Sequence, residues 1–123
     1  ALLSVTACMP LADVGRADSD RLCSSCHGES GRGDGWAAGA MDRPPADLTL
    51  IAARNGGVFD RVEIMSRIDG YARDDKGEVM PDFGAILAGD TVLVETEPGV
   101  MTPTPERLLA LAEYLESIQR PAP

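Results

Sequence analysis

The stretch "RLCSSCHGES", residues 21–30, holds two of the chain's three cysteines and its only histidine, within Cys23-Ser24-Ser25-Cys26-His27. On a helix, residues i and i+3 sit one turn apart, so both thiols emerge on the same side. His27 follows at once and sets an imidazole beside them. The rest of this 123-residue chain, long enough for one domain, has to supply whatever that turn is built to hold.

Composition narrows the choices. Hydrophobic residues are 44% and charged residues 25% of the chain, ordinary values for a globular protein. Aromatic residues are only 4%. Large rings usually supply much of a small core, so a bound planar group is expected to fill part of this one. The net charge of −9 argues against nucleic acid, which needs a basic surface, and against anionic lipid. It favours basic protein partners, although acidic residues also serve solubility.

The chain reads as all-α, with three to five short helices, long loops and no internal repeat. Asp13 is a candidate cap for a polar helix reaching the Cys pair. "GESGRGDGWAAGA" is too Gly-rich for regular structure. Asp47 can cap a short helix from Leu48 that Gly56 stops. Val58, Val62, Met65 and Ile68 form one stripe of a helix from Val58 to about Ile68, with Gly70 at its stop. Residues 91–102 allow a short β-hairpin around Pro98-Gly99. Thr104 can cap the last helix, with Pro105 at its first position and Leu108, Leu111, Leu115 and Ile118 on its apolar stripe. Loops this long in a small domain need an organiser, and a central cofactor is the simplest one.

Cys-x-x-Cys-His is the attachment pattern of c-type haem. Both thiols can form thioethers with the vinyl groups on one porphyrin edge, and His27 can ligate the iron. A zinc site would need carboxylates to complete its ligands, since Cys8 is remote and there is no second His. A thioredoxin-like dithiol lacks its strand-to-helix context, and a plain disulfide leaves His27 unexplained.

Over residues 13–120 the chain resembles the class I mono-haem cytochromes c of bacteria. The matching features are "CSSCHG", the Gly-rich stretch, "PPADLT", "MPDFG", the terminal "LAEYLESI", and Gly15 eight residues before Cys23. The resemblance implies a small cytochrome c fold around one covalent haem, with Gly15 at the crossing of the first and last helices. It also implies that Met80 is the second axial ligand, chosen over Met9 in the tether, Met41 in a loop, Met65 on a helical stripe and Met101 after the hairpin turn. The His27 ring N–H is then expected to donate to a carbonyl in the proline loop, Pro44 or Pro45. Trp36, Tyr71, Arg43, Arg54 and Arg73 are the candidates for the haem propionates. Ser19 stands where the family commonly has an aromatic residue. The acidic segment 88–102 is longer than the simplest members need, and reads equally as a partner-recognition element or a neutral insertion.

Val5-Thr6-Ala7-Cys8 resembles the lipobox of bacterial lipoproteins. That resemblance implies a signal remnant and tether over residues 1–12, acylation of Cys8, and residence at the periplasmic or extracytoplasmic face of a bacterial membrane. A frayed tail with an incidental thiol is the plainer reading. The expected function is single-electron transfer with His/Met ligation, as a carrier or as the haem subunit of a larger oxidoreductase in a respiratory or photosynthetic chain. Two rivals stand beside it: a weakly ligated haem that binds a diatomic gas, and peroxidase-like chemistry, which would want a distal acid–base group.

Overall fold

The computed structural model describes residues 7–71 and 79–123. In chain order these form α1 (Leu11–Leu22), α2 (Ser24–His27), a 3-10 turn Ala38–Ala40, a second 3-10 turn Leu48–Leu50 leading into α3 (Ile51–Arg54), α4 (Arg61–Asp69), α5 (Gly84–Leu87), β1 (Thr91–Glu97), β2 (Val100–Pro105) and α6 (Glu106–Ser117). No helix among the described residues is long and apolar enough to cross a membrane.

The all-α expectation is corrected. Helices account for 46% of the described residues, and they are joined by a two-stranded antiparallel sheet, so the architecture is mixed. The strands run to Pro105, through the residue read as a helix cap. Alternating residues explain this: Val92, Val94 and Thr96 turn inward while Leu93 and Glu95 face out. Thr104 is a buried strand residue whose hydroxyl donates to the Thr102 carbonyl (3.0 Å). The first N–H of α6, on Glu106, is met instead by the Asp90 carbonyl (2.8 Å).

Two helix starts also move. The α1 helix begins at Leu11, because the N–H groups of Asp13 and Val14 bond the Pro10 carbonyl. The α4 helix begins at Arg61 rather than Val58, because Asp60 accepts from the Glu63 N–H (3.0 Å) and caps it. Gly70 stops it in the left-handed conformation.

The core gathers Met65, Ile68, Phe83, Leu87, Leu108, Leu111, Tyr114 and Leu115. Its frame is the contact between α1 and α6. A Cβ on Gly15 would collide with the Ala110 carbonyl, so only glycine lets the two backbones lie this close. One turn on, the buried Asp18 accepts from Arg107 Nε (2.9 Å) and Nη2 (2.8 Å), and from Arg21 Nη2 (2.6 Å). Arg107 also donates Nη1 to the Ile86 carbonyl (2.9 Å), so one guanidinium ties α1, α6 and the end of α5 together.

The chain beyond α6 holds down the segment carrying α3. Gln119 accepts from the Ala52 N–H (2.9 Å) and donates to the Leu48 carbonyl (2.7 Å). Arg120 donates to Thr49 Oγ1 (2.8 Å) and to Asp47 Oδ2 (3.2 Å). Asp47 also caps the 3-10 turn through the Thr49 N–H.

Hydrogen bonding to Arg107, with the nearby Arg107 and Arg21 charges, holds the Asp18 carboxyl below the usual carboxylate range. Its folded pKa is therefore below the unfolded one. Its stabilisation is present above ~pH 4 and lost as pH falls through the folded value. Asp18→Asn should cost about 3 kcal/mol in urea unfolding at pH 7. The variant should also lose stability less steeply than the wild type on acidification below ~pH 4.

Candidate functional site: a crevice walled by one Cys-x-x-Cys-His turn

The α1 helix ends at a hinge, Cys23, whose N–H still reaches the Ser19 carbonyl (2.9 Å). The next turn, α2, is closed by the His27 N–H to the Cys23 carbonyl (2.9 Å). Cys23, Cys26 and His27 consequently face one cavity of about 720 Å3, within the range of ~300–1,000 Å3 usual for cofactor sites. Its wall is largely apolar, with Leu22, Leu48, Ile51, Ile64, Ile68, Phe83, Leu111 and Leu115.

The Gly-rich stretch, expected to lack regular structure, ends in the 3-10 turn Ala38–Ala40, and the irregular part before it is firmly tied. Gly33 donates to the His27 carbonyl (2.8 Å), Gly35 to Cys26 (3.0 Å) and Ala37 to Ser25 (2.9 Å). These bonds satisfy the carbonyls that so short a helix leaves open. A Cβ on Gly35 would strike the Ser25 carbonyl, so the loop can lie against α2 only as glycine.

His27 Nδ1 lies 2.9 Å from the carbonyl oxygen of Ala46. A carbonyl can only accept, so Nδ1 carries a proton and Nε2 is the ring nitrogen left for a ligand. The acceptor is thus one residue beyond the expected Pro44 or Pro45. Both prolines line the cavity, but a Cβ on Gly33 would meet the Pro45 carbonyl, which therefore faces the Gly-rich loop. Ala46 is placed by its neighbours: the Leu48 N–H bonds the Gly31 carbonyl (2.6 Å), and Asp47 is held by Arg120.

Of the methionines, Met41 and Met80 line the cavity, Met65 is buried in the core, and Met9 and Met101 are exposed. Arg43 and Arg54 are on the wall; Arg73 lies outside the described residues. Two expected propionate partners are not brought in. Trp36 is 88% and Tyr71 89% exposed, and neither lines the cavity. Trp36 belongs to a loop that is tied to α2 through its backbone, at Gly33, Gly35 and Ala37.

Sequence reasoning missed Ala46 and Arg67, which also line the cavity, and set aside Met41, which lines it beside Met80. Ala46 has no side-chain chemistry, and only the preceding Pro-Pro hints at an extended backbone with a free carbonyl. Arg67 reads as half of an i,i+4 pair with Glu63, which it also forms (3.1 Å). Ser19, the departure from the aromatic pattern, lines the cavity one helical turn before Cys23.

Burial pushes the Cys23 thiol up to about 11, with Asp18 and Cys26 adding to the rise and the Ser19 hydroxyl opposing it. A dithiol redox centre works through a thiolate of depressed pKa, so Cys23 has the opposite tuning. Cys23 and Cys26 are free thiols, and Cys8 is free and exposed. Among the described residues no three His, Cys, Asp or Glu side chains group as a metal ligand set.

No protein-family model matches this sequence, and comparison with curated proteins finds no match.

In the chain with both thiols unmodified, iodoacetamide should label Cys23 at pH 8 about 20-fold more slowly than an unstructured cysteine peptide, since little thiolate forms. Peptide mass spectrometry over a time course checks this, with labelling at the peptide's rate as the contrary result.

Proposed function

We propose that this chain is a mono-haem c-type cytochrome that carries single electrons, with Cys23 and Cys26 as the covalent attachment points and His27 and Met80 as axial ligands. The observation that carries the reading is the shared wall: both thiols, the imidazole and Met80 line one apolar cavity. The residues fit such a group. The cavity has the size and apolar lining that a planar cofactor needs. His27 offers Nε2 because Nδ1 is committed to Ala46.

Bound there, haem supplies a one-electron couple. The chain's own contribution is to orient and seal. The Ala46 carbonyl fixes the tautomer and ring plane of His27. Leu111, Leu115 and Phe83 exclude water from the interior wall. Arg43 and Arg54 place positive charge at the wall for carboxylates of the cofactor. The only histidine is spent on ligation, leaving no second imidazole for acid–base chemistry, so the reading is a carrier, or the haem subunit of a larger oxidoreductase. Exposed Cys8 just ahead of Pro10 and α1 suits an acylated tether at the outer face of a bacterial membrane.

Produced with a cytochrome c maturation system, the protein should keep its haem through acid-acetone extraction. A Cys23→Ala/Cys26→Ala double variant should release it all. Complete extraction of haem from the wild type would overturn the reading.

A further inference from the structure

The outward face of the β1–β2 hairpin plays no part in walling the cavity. Leu93 lies opposite Pro103 and Glu95 opposite Met101, while Val94 packs inward on the core. Leu93 is 64% and Met101 52% exposed, and Val100, next to Met101 in the chain, is exposed as well. Among the described residues, three of the nine exposed large hydrophobic side chains thus sit on this one hairpin. Scattered exposed apolar residues are ordinary, whereas a clustered set marks an interaction site. The hairpin is anchored rather than loose: Asp90 accepts from the Glu106 N–H at its foot, where β2 runs into α6.

The charge around it has one sign. From Ala88 to Glu106 the chain carries Asp90, Glu95, Glu97 and Glu106 and no Lys or Arg. The carboxylates of Asp90, Glu97 and Glu106 form no ion pair among the described residues, so this field is left unneutralised. We infer that this face docks a protein partner that presents an apolar contact ringed by Lys and Arg. An apolar centre with a charged rim is the usual anatomy of a transient interface, and opposite rim charge speeds encounter. A second copy of this chain would meet like charge on a protein of net charge −9. Strand addition is a poor alternative at β2. Prolines sit in a ladder where the N position faces away from the paired strand, so Pro103 and Pro105 remove donors from its free edge.

The test does not depend on the haem reading. A photo-crosslinking amino acid replaces Leu93 or, separately, Met101 in the full chain, in the cell that makes the protein, with Arg16 on α1 as the control position. One discrete adduct with a different protein is expected from 93 and 101 but not from 16, and its crosslinked peptides should carry net positive charge. The adduct should fall at least about tenfold in Asp90→Lys/Glu97→Lys. Glu95 is spared because its carboxylate accepts from the Gly99 N–H (2.9 Å) in the turn. Should the double variant lose its circular-dichroism signal, isolated membranes crosslinked at ~0.05 and ~0.5 M salt give the same comparison with the charges intact. An adduct with a second copy, with lipid or with an acidic peptide would overturn the inference. So would a yield indifferent to charge and salt, or no adduct at all.

Discussion

The contact between Gly15 and the Ala110 backbone places the working part of this molecule. It lets α1 lie directly on α6, and Asp18 with Arg107 then locks the two helices one turn further along. With α1 fixed, its end at Cys23 is fixed, and the following turn can present Cys26 and His27 only toward α6's apolar side. Leu111 and Leu115 belong both to the core and to the cavity wall. The helix pair is therefore at once the frame of the fold and one side of the site.

The remaining sides are held by backbone rather than by side chains. The Gly-rich loop caps the carbonyls of α2, and the segment after Pro44-Pro45 delivers the Ala46 carbonyl to His27. Residues after α6 clamp that segment through Gln119 and Arg120. So little of the structure is large buried side chains, Leu87 and Leu111 being the largest that are fully enclosed, that a planar apolar group in the cavity would add a substantial share of the core. Area buried scales with stability, which links the low aromatic content to the proposed cofactor.

Local signals were legible where they were strong. The Asp47 cap, the Gly70 stop and the apolar stripe of α6 stand where spacing and capping chemistry put them. Thr104 misled because a good capping residue is also a good strand residue, and the period-2 pattern of the hairpin outweighed it. Trp36 and Tyr71 were attractive by chemistry alone, and nothing local shows that both side chains are exposed. Ala46 as acceptor and the Arg120–Asp47 clamp depend on partners 19 and 73 residues apart. Such pairings exist only once the tertiary structure does, so no window of sequence reports them.

Electron transfer as proposed requires a haem iron held by both His27 and Met80. The most direct measurement is the absorption spectrum of the haem-loaded protein in both oxidation states, including the weak long-wavelength band of a methionine-ligated ferric haem, with carbon monoxide added to the reduced form. A low-spin spectrum with that band, slow to bind carbon monoxide, and loss of the band in Met80→Ala are the predicted results. A high-spin wild type that binds carbon monoxide at once would contradict the account. A band that survives in Met80→Ala and disappears in Met41→Ala would contradict the choice of ligand.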